Sequence, residues 1–74
     1  MRLSFKLSII AAGLKHKALA AEANRHLPVL LRLSELDVTK LVTNRKDPTP
    51  EQAAVLSRIL GRSTVELFPA DLSK

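Results

Sequence analysis

Signals for helix starts and ends crowd residues 34–68, and their spacing constrains the fold more than any other feature of the chain. Ser34 is a good N-cap, and Asp37 places a negative charge in the first turn of the helix that follows. Asn44-Arg45-Lys46-Asp47 forms a polar turn that Pro48 closes. Apolar residues at helical spacing give this helix its inward stripe: Val38, Leu41 and Val42.

A second helix begins at Thr49-Pro50-Glu51-Gln52, which is the sharpest local signal in the chain. Thr49 is the N-cap residue, Pro50 takes the first helical position, and Gln52 completes a capping box with Thr49. Gly61 ends this helix, and Ser63-Thr64-Val65-Glu66 opens a short third helix as another capping box, before Pro69 stops it. The buried side of the second helix is predicted to be Ala53, Leu56, Ile59 and Leu60, and the short helix holds Val65, Leu67 and Phe68.

The N-terminus predicts a helix over about residues 4–12, closed by Gly13. One face of this helix holds Leu3, Leu7 and Ile10. A strand is the competing interpretation, because apolar and polar residues alternate over residues 3–9. We favour the helix because the alternation stops at Ile10-Ala11-Ala12.

The next helix covers about residues 15–24, which are rich in alanine, the best helix former, and Asn24 is a suitable terminator. Its inward residues are predicted to be Ala18, Leu19 and Ala23. Residues 25–33 are harder to assign, because Pro28 pushes the residue before it away from helical geometry. Val29–Leu31 are too apolar to stay in water, and they fit a short helix, a tucked loop or part of a dimer contact.

Composition allows one small domain over residues 1–74, with a core at about 5–69 and a loose tail at 70–74. Hydrophobic residues make up 46% of the chain, and only two residues are aromatic, which favours packed helices. The absence of cysteine excludes disulfides and thiolate zinc sites. His16 and His26 lack companion ligands, and no nucleophile–base pair or phosphate loop occurs, so we predict no metal, no cofactor and no enzymatic activity.

The charge balance is basic, with twelve Lys and Arg against seven Asp and Glu and a net charge of +5. A basic chain suits nucleic acid, although it also suits an anionic membrane or an acidic protein. The apolar run at residues 7–12 is too short and too interrupted for a signal peptide, and no segment approaches the ~20 apolar residues of a membrane span.

Two stretches together resemble the Xre/Cro family of phage-repressor-like helix-turn-helix domains. The first is Ala12-Gly13-Leu14 followed by Leu19-Ala20, similar to the family's first turn and second helix. The second combines Val38-Thr39-Lys40-Leu41, Asn44-Arg45-Lys46-Asp47-Pro48, Leu60-Gly61 and Glu66-Leu67-Phe68-Pro69. The resemblance covers about residues 5–69 and implies an all-α, five-helix, lambda-repressor-like domain.

The chain departs from the family between helices 2 and 3, because Leu19-Ala20 lies several residues too far from Pro48. We attribute the excess to an insertion within residues 24–33, which enlarges the turn between these helices. A gap-free alternative puts Leu27-Pro28 in place of Leu19-Ala20, but it places a proline inside helix 2 at considerable cost.

The resemblance implies that residues 34–43 form the recognition helix, which enters the major groove of DNA. Its base-contacting residues would be Glu35, Leu36, Thr39 and Lys40. The phosphate contacts would be Lys15 and Lys17 in helix 2, Arg25 and Arg32 in the insertion, and Ser34, Asn44, Arg45 and Lys46. Family members usually carry Gln, Ser or Thr where this chain has Glu35 and Asp37, and acids near phosphates weaken affinity unless they serve a base or a cap.

The resemblance further implies a sequence-specific transcriptional repressor of the Cro type, which binds an inverted repeat in double-stranded DNA as a homodimer in the cytoplasm of a bacterial or phage-infected cell, at the nucleoid. Dimer contacts are expected from Leu67, Phe68 and Leu72. One alternative is an antitoxin that represses its own operon and holds a toxin through Val29–Leu31. Another is an adaptor that kept the fold and binds proteins instead of DNA.

Overall fold

The structure is a computed structural model that describes residues 2–68, and it is all-helical over that range. The helices are α1 Leu3–Ala11, α2 His16–Asn24, α3 Glu35–Val42, α4 Pro50–Leu60 and α5 Thr64–Leu67, and a 3₁₀ turn at Val29–Leu31 lies between α2 and α3. The prediction of an all-α, five-helix fold is confirmed, and the strand alternative for the N-terminus is wrong. The tail predicted at 70–74 lies outside the described residues.

Local side-chain hydrogen bonds set the starts of α3, α4 and α5 where the sequence predicts them, whereas α1 and α2 have no side-chain cap. At α5 the Ser63 hydroxyl accepts from the Glu66 N–H at 3.2 Å, which is one half of the predicted capping box. The Ser34 hydroxyl accepts from the Asp37 N–H at 3.1 Å, and the Asp37 carboxylate accepts from the Ser34 N–H at 2.9 Å. Thr49 and Gln52 form the same reciprocal pair at the start of α4. Three helices end at a residue with left-handed backbone: Gly13, Asn44 and Gly61.

The core lies around α2 and α3, which pack against each other most extensively, with α1, α4 and α5 closed around them. The ring of Phe5 in α1 packs against the ring of Phe68, which follows α5, with centroids 5.0 Å apart and planes tilted by 48°. The inward stripe predicted for α3 is confirmed in full, whereas only Leu56 of the four residues predicted for α4 is fully buried. The buried apolar residues are Phe5, Ile9, Leu19, Ala20, Ala23, Leu27, Leu33, Val38, Leu41, Val42, Leu56, Leu67 and Phe68.

Helix α1 buries one apolar side and leaves another in solvent. Phe5 and Ile9 are buried, and Phe5 faces inward because its ring packs on Phe68. The face that periodicity singles out is the exposed one, with Leu3, Leu7 and Ile10 exposed by 59%, 54% and 61%. A similar correction applies to α2, where Ala20 instead of the predicted Ala18 joins Leu19 and Ala23 in the core.

Residues 25–34 form an enlarged connection between α2 and α3, as predicted. Pro28 stands at the start of the 3₁₀ turn, outside α2, so the gap-free alternative is wrong. The segment is tied down at its ends, because the Asn24 side chain donates to the Leu33 carbonyl at 2.7 Å and accepts from the Leu33 N–H at 2.6 Å. The expectation that Val29 and Leu30 avoid water is wrong for this chain by itself, since they are 72% and 95% exposed.

Candidate nucleic-acid interface

The side of α3 that faces away from the core carries the four residues predicted to contact bases. Glu35, Leu36 and Lys40 are exposed, and Thr39 is half-buried. They occupy this side because the apolar stripe of α3 takes the opposite side into the core. We call the surface formed by these four residues the outer face of α3. Its side chains offer a ligand a carboxylate acceptor from Glu35, an aliphatic contact from Leu36, a hydroxyl from Thr39 and an ammonium donor from Lys40.

The Asp37 side chain forms its hydrogen bonds at the start of α3 and with the turn after α3, and it is not part of the outer face. One carboxylate oxygen accepts from the Ser34 N–H, and the other accepts from Lys46 Nζ at 3.1 Å. The Ser34 N–H chiefly holds the pKa of the Asp37 carboxyl below its ordinary value of 3.8, and Lys46 adds to this effect. Asp37 therefore caps α3 and is paired with Lys46, so its negative charge is partly compensated where a phosphate would bind.

The same contacts limit what Ser34 and Lys46 can offer to a phosphate. The Ser34 N–H is already bonded to Asp37, so its remaining donor is the hydroxyl proton. Lys46 Nζ is held by Asp37 and is half-buried, whereas the neighbouring Arg45 is exposed. Arg45 is thus the stronger of the two adjacent candidates for phosphate contact.

A hydrogen bond joins the start of α2 to the outer face of α3. His16 Nδ1 lies 2.9 Å from Thr39 Oγ1, and the Thr39 hydroxyl donates to the Glu35 carbonyl at 3.1 Å. The Thr39 hydroxyl has a single proton, so when that proton lies on the Glu35 carbonyl, His16 donates through Nδ1–H. In that arrangement Thr39 presents an acceptor lone pair to a ligand. Nothing in the sequence signalled this contact, because the two residues are separated by 23 positions.

Two lysines lie at the start of α2, beside this contact. Lys15 is the N-cap residue and Lys17 follows in the first turn, and both are exposed. A lysine side chain cannot accept a hydrogen bond, and α2 receives no side-chain cap. The first backbone N–H groups of α2 therefore have no side-chain cap and lie beside two exposed cations, an arrangement that favours a phosphate.

The turn after α3 holds Asn44 and Arg45 in a fixed geometry. Asn44 takes a φ of 62°, its N–H donates to the Leu41 carbonyl at 3.3 Å, and the Arg45 N–H donates to the Lys40 carbonyl at 2.9 Å. This is the Schellman arrangement that ends many helices. Because both backbone N–H groups are used, any phosphate contact from this turn must come from the exposed side chains.

The two arginines predicted in the insertion lie at its surface. Arg25 pairs with Glu22 at 3.3 Å, where both side chains are exposed, and such a pair holds an arginine only weakly. Arg32 is exposed just after the 3₁₀ turn. The connection between α2 and α3 is also hydrogen-bonded to α4, where Gln52 Nε2 donates to the Leu31 carbonyl at 2.7 Å. Both arginines therefore stand on an anchored segment.

Arg2 supports the site from beneath, and no sequence pattern predicted this role. Its guanidinium donates to the Leu41 carbonyl at 2.7 Å, to the Lys46 carbonyl at 2.8 Å and to the Asp47 carboxylate at 2.6 Å. It also lies 5.4 Å from the centroid of the Phe68 ring. Arg2 thus fastens the start of α1 to the end of α3 and to the basic turn.

The predicted dimer contacts need correction. Leu67 and Phe68 are 0% and 1% exposed, so neither side chain has surface to offer a second copy. They are buried because α5 packs on α1 and the Phe68 ring meets Phe5. Leu72, the third predicted contact, lies outside the described residues.

Comparisons with protein-family models, with curated proteins and with solved structures find no match to this chain. Within residues 2–68, no group of three or more His, Cys, Asp and Glu side chains is arranged to hold a metal ion. Over the same range, none of the helices combines the length and apolar character that crossing a bilayer requires. The geometry of the α3 outer face and its surroundings therefore carries the functional argument.

Proposed function

We propose that this chain is a sequence-specific DNA-binding transcriptional regulator, a phage-type repressor that binds an inverted repeat as a homodimer. The observation that carries the proposal is the His16–Thr39 hydrogen bond of 2.9 Å. It sets the cationic, uncapped start of α2 directly beside the outer face of α3. A helix-turn-helix needs this juxtaposition, because one helix meets phosphates while the next enters the major groove.

The outer face of α3 would supply base recognition. Lys40 would donate to guanine O6 and N7, and Leu36 would contact a thymine methyl group. Glu35 would accept from cytosine N4. With its proton on the Glu35 carbonyl, Thr39 would accept a hydrogen bond from adenine N6 or cytosine N4 and would disfavour guanine and thymine on the strand it contacts.

Phosphate contacts would come from two directions around that face. Lys15 and Lys17 at the start of α2 supply one group, and Arg45 after α3 supplies the other. Each neutralised phosphate releases counterions, so the logarithm of the binding constant falls with the logarithm of salt concentration by ~0.9 per contact on duplex DNA. Arg25 and Arg32 would add contacts if the DNA extends along the insertion.

The experiment is a selection of bound sequences from random duplex DNA, followed by affinity measurements over a range of salt concentrations. The double variant Lys40→Ala with Arg45→Ala should lose about 100-fold in affinity, because one base contact and one phosphate contact disappear together. Its salt slope should shrink by about 1. Arg58→Ala on α4 is the matched control, since Arg58 is an exposed cation outside the proposed interface.

The single variants at Lys40 and Arg45 should also differ from each other in their effects on base preference and on the salt slope. Lys40→Ala should relax the preference at one base pair while leaving the salt slope nearly intact, because that side chain addresses a base. Arg45→Ala should weaken all sequences alike and reduce the slope. Unchanged affinity in the double variant with helicity preserved, or no DNA affinity at low salt, would remove the proposal.

An antitoxin is the second candidate, and the exposed turn at Val29–Leu31 favours it. Leu30 is 95% exposed and Val29 72%, on a segment that Asn24 and Gln52 hold in place. An anchored, exposed apolar turn is a suitable contact for a protein partner. Co-purification with the product of the adjacent gene, lost in Leu30→Glu while DNA binding persists, would distinguish the antitoxin from a plain repressor.

A further inference from the structure

Helix α1 is apolar on both sides, although the described domain covers only one. Lys6 is its one charged residue, and its inner side buries Phe5, Ser8 and Ile9. The opposite side, which we call the α1 stripe, consists of Leu3, Leu7 and Ile10, and more than half of each residue's surface is exposed. A surface helix normally carries polar residues on its outer side, whereas a helix that is apolar all round is buried all round.

Charges of both signs stand at the edge of this stripe. A shallow groove runs between α1 and the start of α5, and its lining residues are Ser4, Leu7, Ser8, Ala11, Arg62 and Glu66. Arg62 and Glu66 lie 3.7 Å apart and each side chain is 55% exposed, so both remain accessible to another molecule. A two-fold axis that passes between Arg62 and Glu66 would set each cation opposite the anion of a second copy, with the apolar stripes facing each other.

We propose that the α1 stripe is the surface on which a second copy of this chain docks, with Arg62 of one protomer facing Glu66 of the other across the two-fold axis. The inference deepens the proposed function and rests on it for its purpose, because an inverted repeat requires a two-fold dimer. Elsewhere among the described residues, Leu36 on the outer face of α3 and Val65 on α5 are exposed one at a time, and Val29 and Leu30 are exposed together in the 3₁₀ turn. This turn is flanked by Arg25 and Arg32, so two copies meeting there would bring like charges together.

The area of the stripe sets the expected strength of the dimer. Each of its three side chains can remove on the order of 100 Å² from water, or roughly 600 Å² of apolar surface for two copies. Standard stable interfaces bury about 1,200–2,000 Å² in total, so the apolar stripe alone falls below that range. We therefore expect a weak, transient dimer without DNA, with a Kd in the micromolar range. Two touching domains of 28 × 25 × 21 Å can span half-sites one helical turn apart, ~34 Å.

The first test is sedimentation equilibrium without DNA, from about 1 to 500 µM. The wild-type chain should pass from monomer to dimer over this range. Leu7→Glu should raise the dimer Kd by about 100-fold or more, because the axis brings two carboxylates into an apolar contact. Leu30→Glu is the matched control, since it makes the same substitution at a more exposed leucine outside the stripe, and its Kd should stay unchanged. Helical circular dichroism should be equal in all three proteins.

The second test separates contact between protomers from the pair within one protomer. Arg62→Glu leaves two acidic groups at the edge of the stripe, and Glu66→Arg leaves two basic ones. Each variant alone should self-associate about 3-fold to 10-fold more weakly than wild type, while their equimolar mixture should form a heterodimer at least as tight as the wild-type dimer. A pair that acts only within its own chain predicts no gain on mixing.

Three results would overturn the inference: a wild-type chain that stays monomeric at 500 µM, equal weakening by Leu7→Glu and Leu30→Glu, or no heterodimer preference on mixing. The first would mean that another part of the chain or a different protein covers the stripe. None of these measurements involves DNA. A chain that dimerises through α1 without binding DNA would refute the proposed function and leave the dimer surface standing. A monomer that binds DNA would refute the dimer surface and the homodimer part of the proposed function, and it would leave DNA binding standing.

Discussion

Removing the Arg2 guanidinium should destabilise the domain strongly, although the residue stands at the very start of the chain. We consider Arg2→Met, which keeps an unbranched apolar stem and deletes the charged donors. The native side chain is 5% exposed and donates to two backbone carbonyls, those of Leu41 and Lys46, and to the Asp47 carboxylate. The variant therefore removes three hydrogen bonds that connect α1 with the end of α3.

The magnitude follows from the surroundings of each acceptor. A hydrogen bond from a charged donor contributes about 1.5–3 kcal/mol, and the two carbonyl contacts are the sheltered ones. The Asp47 side chain is 58% exposed, so solvent screening leaves its ion pair at about 0.5 kcal/mol. Relief of the buried charge offsets part of the total. We expect a loss of about 3 kcal/mol in the free energy of unfolding, which is roughly 12–24 °C in Tm for a domain of this size.

Urea denaturation followed by circular dichroism measures this change, and Asp47→Asn is the informative comparison. That variant removes the ion pair but leaves both carbonyl contacts, so it should cost less than about 1 kcal/mol. If Arg2→Met and Asp47→Asn cost the same, the two carbonyl contacts contribute nothing and the account of Arg2 fails. A loss below about 1 kcal/mol in Arg2→Met refutes it as well.

Three further predictions concern the ends of the helices. The pKa of Asp37 is lowered in the folded chain, so the stability that its carboxylate contributes is present above its ordinary pKa of 3.8 and is lost as the pH falls through the folded value. Asp37→Asn should therefore have a lower Tm than wild type at pH 7, and thermal unfolding at pH 7 and in strong acid should show that this difference in Tm vanishes in acid. Asn24→Ala should cost about 2–3 kcal/mol in urea denaturation, because both of its hydrogen bonds to the Leu33 backbone are lost, and a cost below about 0.5 kcal/mol would show that the segment after α2 is held by its apolar contacts alone. Gly61→Ala should cost about 1 kcal/mol, because φ is +67° while no atom lies within 4 Å of an added Cβ, and an unchanged Tm would contradict the assumed backbone strain.

The helix ends were predictable because their determinants are local. Ser34 and Thr49 cap through hydrogen bonds to the residue three positions later, and Gly61 adopts a backbone conformation that other residues avoid. The inward stripe of α3 was equally accessible, since one periodic pattern distinguished its two sides. On α1 the periodic pattern could not identify the buried side, because both sides of the helix are apolar. The packing of Phe5 against Phe68 decided which side is buried.

For the candidate site, the sequence determined which residues lie on α3 and in the basic turn after it, because helical period and capping place them there. Only the tertiary structure decided what each polar group is already bonded to. It assigned Asp37 to Lys46, brought His16 to Thr39, and seated Arg2 beneath the turn. These partners stand between 9 and 44 positions apart along the chain, so their pairing depends on how the helices pack and not on any pattern within one segment.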